Sequence, residues 1–113
     1  MQRLEERIVR ERLICDGGMG TQLHALGLAP GECPEKWCLT QPALVRSVHA
    51  AYREAGRLIV ETNTFGGNRY KLSHFGLAGE ASAINRAGAA IAREIAGDAQ
   101  YVMASMGPTG AFM

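Results

Sequence analysis

No stretch of this 113-residue sequence comes near the roughly 20 consecutive apolar residues that a membrane-spanning helix needs. Neither sign of charge is in excess. Twelve Lys and Arg face eleven Asp and Glu, for a net charge of +1, which removes the electrostatic case for nucleic acid or an anionic membrane surface as partner. The opening "MQRLEERIVRER" carries both signs densely, so it reads as an exposed helix over about residues 2–11 and not as a signal or transit peptide. Cysteine is scarce and odd in number. Cys15, Cys33 and Cys38 are spaced C-x17-C-x4-C, which matches neither a disulfide framework nor a known zinc pattern. A reducing cytoplasm is the expected location. Internal repeats, low-complexity segments and linkers are absent, and the length suits one small domain.

What is present alternates. "RLICD" (12–16) reads as a short strand. A helix starting near Met19 carries Leu23 and Leu26 and stops at Gly27, and a loop with Pro30, Gly31 and Pro34 follows. The next helix has Thr40 as candidate N-cap, Pro42 in its first turn, a stripe of Leu44, Val48, Ala51, Tyr52 and Ala55, and a stop at Gly56. "RLIVET" is a buried-type strand. A second long helix puts Ile84, Gly88, Ile91 and Ile95 on one face and ends at Gly97, and "AQYVMASM" is a third strand. Strand–helix alternation with nearly all-apolar strands predicts an α/β fold, with parallel strands joined by helical crossovers.

Each strand ends in a polar or glycine-rich signature: "DGGMGT", "ETNTFGGN" and "MGPTG". Parallel strands bring such endings to one edge, where α/β folds build their sites. At the first, Gly17 and Gly18 permit a tight turn and close backbone approach. The amides near Met19 open a helix that attracts an anion, while Asp16 can hold a cation. That pairing suits the carboxylate and ammonium of an amino acid. The competing reading has Asp16 capping the helix and the glycines making a turn. At the second, Thr62 and Asn63, in a row with Glu61 and Thr64, either bind a small polar ligand or satisfy turn amides. In "GPTG", Thr109 either points into the site or belongs to a plain turn. A dinucleotide fingerprint fails, because Leu23 stands where the third glycine belongs, and no Walker-type lysine follows. His24, His49 and His74 have no paired ligand nearby in sequence and read as surface or packing residues.

"DGGMGTQL", "YREAG", "IVETNTFGGNRYKL" and "GPTG", in this order from about Leu13 to Met113, resemble the homocysteine-binding domain found in cobalamin-dependent methionine synthase and the homocysteine S-methyltransferases. The resemblance implies a TIM-type (β/α)8 barrel that binds homocysteine as a thiolate on zinc and methylates its sulfur to give methionine. Asp16, Gly17, Gly18 and Met19 would hold the polar end of the amino acid, and Thr62 and Asn63 would line the pocket. A full barrel takes about 250 residues. Residues 1–113 are therefore expected to be a partial homocysteine-binding domain, the N-terminal portion with about three βα units. The family's zinc cysteines lie further along, so no metal ligand and no catalytic residue is expected in this chain. Methylcobalamin charged from methyltetrahydrofolate is the expected methyl donor, with S-methylmethionine and betaine serving other relatives. An unpaired sheet edge leads us to expect aggregation, oligomerisation or marginal folding of the chain by itself, and no turnover. The alternatives are a non-catalytic amino-acid-binding or partner-pairing half-barrel, part of a bifunctional enzyme with a methylenetetrahydrofolate reductase half, or a small flavodoxin-like domain of other function.

Overall fold

A computed structural model describes residues 3–13, 15 and 17–109. Helix α1 (Leu4–Arg10) precedes α2 (Met19–Ala25). A 3-10 turn at Pro34–Lys36 runs into the short α3 (Trp37–Thr40), then α4 (Pro42–Glu54) and β1 (Ile59–Glu61). Helix α5 (Arg69–Ser73), a 3-10 turn at Ala78–Glu80, α6 (Ala81–Ala96) and β2 (Tyr101–Met103) complete the order. The two strands are parallel, with Ile59 opposite Tyr101, Val60 opposite Val102 and Glu61 opposite Met103. The connection between them is helical, as parallel pairing requires. Cys15 makes an isolated parallel bridge to Ile59. The strand expected over 12–16 is thus one bridge among the described residues, and Ile14 and Asp16 lie outside them. No helix among the described residues is long and apolar enough to cross a membrane.

Helix stops fall where glycine is. After α2, Gly27 (φ 110°) takes the left-handed position, Leu28 N–H donates to the Leu23 carbonyl at 2.9 Å, and Gly27 N–H donates to the His24 carbonyl at 3.1 Å. Leu23 and Leu28 are both buried, which adds the apolar contact of a Schellman stop. The end of α4 repeats this pattern with Gly56 (φ 87°), Arg57 and Tyr52. Leu26 falls at the C-cap and is exposed, so only Leu23 carries the expected stripe of α2.

Two expectations for α4 are corrected. Thr40 is not its N-cap. It ends α3, its hydroxyl donates to the Lys36 carbonyl at 3.3 Å, and Gln41 occupies the cap position ahead of Pro42. The buried stripe is Val45, Val48 and His49 with Leu44 and Tyr52 half-buried, while Ala51 and Ala55 face outward. The face turns because the larger Val45 and His49 gain more from burial than two alanines do. His24 and His74 are exposed and His49 is fully buried, so only the last is a packing residue.

The core has three parts, and α6 contributes to each. Ile91 packs with Leu23, Leu28, Trp37, Cys38, Val45 and Val48. Ile84 packs with Cys33 and Leu72, and Ala92 and Ala96 pack on Val60. Gly88, in the middle of α6, lets the helix press against the chain leaving β1. A Cβ there would stand 2.6 Å from Thr64 Cγ2.

Candidate functional site

The C-terminal end of β1, the chain after β2 and the turn entering α2 meet at one rim. They enclose a cleft of about 310 Å³ lined by Gly17, Gly18, Met19, Gly20, Glu61, Thr62, Asn63, Thr64, Phe65 and Ser105, with Pro34 and Glu35 entering from the first long loop. Five of the six expected site residues, Gly17, Gly18, Met19, Thr62 and Asn63, therefore face one space. Asp16 lies outside the described residues. Thr109 is not part of the lining, and the chain after β2 contributes Ser105 instead.

The two glycines of the first signature have separate reasons. Tyr52, reaching over from α4, donates to the Gly18 carbonyl at 3.3 Å. A Cβ on Gly17 would meet that tyrosine's Oη at 2.6 Å, so Gly17 is needed for helix packing. Gly18 is the N-cap of α2, in extended conformation and without a side-chain cap.

The second signature is interlocked. Thr64 Oγ1 donates to the Ser105 carbonyl at 2.8 Å. Its only proton is committed there, so in the 2.6 Å contact between the hydroxyls Thr62 is the donor. Ser105 N–H in turn donates to Thr62 Oγ1 at 3.0 Å, which closes a ring of three hydrogen bonds between the two strand ends. Asn63 Nδ2 donates to the Pro34 carbonyl at 2.9 Å, and the Cys38 thiol donates to the Asn63 carbonyl at 3.4 Å. Of the two, only the Thr62 side chain accepts from an amide, that of Ser105, while Asn63 donates to a carbonyl of the first long loop, and both residues form the cleft wall.

Glu35 is the cleft residue that sequence reasoning missed. It sits in the 3-10 turn at Pro34–Lys36, too short to leave a periodic pattern, and nothing local ties it to "TNTFGG". In space its Oε1 accepts the Gly66 N–H at 3.0 Å. Burial pushes its carboxyl pKa above the ordinary value. Burial likewise pushes the Cys38 thiol up to about 11 and raises that of Cys33. Among the described residues no three His, Cys, Asp or Glu side chains gather to hold a metal. These residues therefore do not fit the zinc that the resemblance implies.

Comparison with known proteins sets this geometry in context. The family model for homocysteine S-methyltransferase matches residues 13–113. Methionine synthase of Mycobacterium tuberculosis is 37% identical over 108 residues, covering 85% of this chain and 9% of that protein. Methionine synthase of Mycobacterium leprae is 34% identical over 117 residues, covering 93% and 10% respectively. The crystal structure of the homocysteine methyltransferase MmuM from Escherichia coli, in its metallated form, superposes with a TM-score of 0.78 at 25% identity, over 95% of this chain and 42% of that one. Its oxidized form gives a TM-score of 0.79 at 24% identity. The chain spans about a tenth of the length of these methionine synthases and about two-fifths of that of MmuM.

Proposed function

This chain belongs to the homocysteine S-methyltransferase family, and from that premise we propose that its cleft holds the amino-acid part of homocysteine while a methyl group passes to the sulfur. One observation carries the reading: Gly17–Gly20, Thr62–Thr64 and Ser105, from three separate segments, line a single cleft at the ends of parallel strands. In the overall reaction the thiol sulfur loses its proton and gains the methyl group, the donor leaves without it, and methionine forms. The contribution of this chain is to bind and orient. The turn at Gly17–Met19 and an aspartate at position 16 would receive the charged groups at Cα, and the wall at Thr62 and Asn63 would bound the side chain.

The fold reading follows the same line. A parallel pair joined by a helical connection, together with the bridge at Cys15, supports about three βα units of a (β/α)8 barrel, and the superposition on MmuM supports it further. Likeness to the mycobacterial methionine synthases favours methylcobalamin, charged from methyltetrahydrofolate, as donor. Activation of the thiol is assigned to no residue of this chain, since none of those described forms a metal site.

Calorimetric titration with L-homocysteine, with zinc and with a chelator, tests the proposal. Saturable binding in the millimolar range or tighter is expected under both conditions, about −4 kcal/mol or better. No binding up to about ten times that concentration would refute it. Methionine formation by the isolated chain with any donor would overturn the expectation that it does not turn over.

A further inference from the structure

We propose that Tyr52, on α4 and outside the cleft, is a positioning residue for ligand binding: its hydroxyl holds the Gly17–Gly18 wall at a set distance from the wall at Thr62 and Asn63. The inference rests on the reading of the cleft as a homocysteine site. Tyr52 opens "YREAG", a signature that places no residue in the cleft lining and that the proposed reaction leaves unused.

The two walls are held by different means. Thr62, Thr64 and Ser105 close a ring of hydrogen bonds, and Asn63 is tied to the Pro34 carbonyl. The opposite wall starts with two glycines. Neither has a side chain to anchor it, Gly18 caps α2 without a side-chain bond, and glycine backbone is the least restricted of all. Its hold comes from α4. Tyr52 Oη donates to the Gly18 carbonyl at 3.3 Å and lies 2.6 Å from where a Cβ on Gly17 would stand. The ring follows closely, with Cζ at 3.1 Å and Cε1 at 3.2 Å from that point. One hydroxyl thus bonds the second glycine and backs the first. Tyr52 is itself fixed at both ends. Its side chain packs on the core cluster that holds Leu23, Val45 and Val48, and its carbonyl accepts the Arg57 N–H at 3.1 Å where Gly56 stops α4. The position of α4 is in this way passed to the cleft. Phenylalanine would keep the packing and lose the bond, so the proposal turns on the hydroxyl.

Calorimetric titration with L-homocysteine under reducing conditions compares wild type, Tyr52→Phe, Gly17→Ala and the double variant, with urea unfolding of each. Y52F should bind roughly threefold to tenfold more weakly than wild type, the size of one hydrogen bond, while remaining fully folded in the assay. G17A should lose about tenfold or more. Adding Y52F to it should recover part of that loss, because Oη is the atom nearest the new methyl group. Unchanged affinity in Y52F overturns the proposal. So does a loss that disappears once corrected for the folded fraction, since Tyr52 would then serve stability alone. Losses that simply multiply in the double variant also overturn it, because they would separate the hydroxyl from the glycine it backs. If G17A does not fold, the amide resonances of Y52F decide. Those of Gly18, Met19 and Gly20 should move while those of Thr62 and Asn63 stay. Shifts confined to α4 count against the role. Failure of wild type to bind homocysteine removes the reading of the cleft and this inference with it, whereas full binding by both wild type and Y52F removes the inference alone.

Discussion

Thr62, Asn63 and Thr64 at the rim are each no more than 6% exposed, and each of their side chains hydrogen-bonds to another part of the chain. His49, on α4, is more deeply buried still, yet neither ring nitrogen has a hydrogen-bond partner among the described residues. The two regions bury polar groups under opposite terms. At the rim, backbone and hydroxyl partners replace the water that was lost, so the strand ends are held in one arrangement. Behind it, the imidazole is packed for its shape, and burial pushes its pKa down to about 4, which keeps it neutral. The rim is thus specified by bonds and the helix layer by packing. Disturbances should act differently on each.

The largest effect is expected where the two regions touch. Gly88→Leu would drive a side chain into Thr64 and Cys38. It should lower unfolding stability by about 3 kcal/mol or more in urea titration. An unchanged midpoint would mean that α6 does not bear on the rim as described.

Acid should separate the regions next. His49 binds a proton more weakly folded than unfolded, so its contribution is intact above the ordinary histidine value of about 6.5 and is lost as pH falls toward 4. The loss should reach about 3 kcal/mol. Glu35 has the reverse sign, because its pKa is raised by burial. Its contribution is present below the ordinary carboxyl range and is lost as pH rises through the folded value. In His49→Leu the acid-side loss between pH 6.5 and 4 should largely vanish, and stability at pH 7 should rise by about 1 kcal/mol. Parallel pH–stability curves for variant and wild type would remove His49 from this account.

Thr64→Val should cost about 2 kcal/mol, since it leaves the Thr62 hydroxyl proton and the Ser105 carbonyl without partners. Chemical denaturation measures this, and hydrogen exchange at the Ser105 amide should quicken as the ring opens. The smallest change is expected at the Arg46–Glu94 pair that links α4 to α6 on the surface. Glu94→Gln should change stability by less than about 0.5 kcal/mol, because both side chains are well exposed. A larger loss would show that the helix layer depends on surface charge as well as packing.

Much of the frame was legible in the chain. The long helices α4 and α6, the strands at 59–61 and 101–103, and the glycine stops follow from periodicity and left-handed turns. The short α3 and α5 were not, since four or five residues give no periodic signal. The buried side of α4 was misjudged because alanine suits either face, and only the neighbouring helices choose between them. In the site, the glycines and the Thr-Asn pair announced themselves by clustering at strand ends. Glu35 and Ser105 did not, one lying in a three-residue turn and the other in irregular chain.

Local chemistry acting over a few residues was enough to set the helices, their stops, the apolar strands and the motifs that mark the family. Contacts between distant segments decided the rest: the ring closed by Ser105, the carboxylate set against Gly66, and the imidazole left without a partner. The reason is physical. Periodicity and turn preference are properties of neighbours along the chain, whereas burial and hydrogen-bond satisfaction depend on which surfaces meet, and those surfaces exist only once the elements have packed.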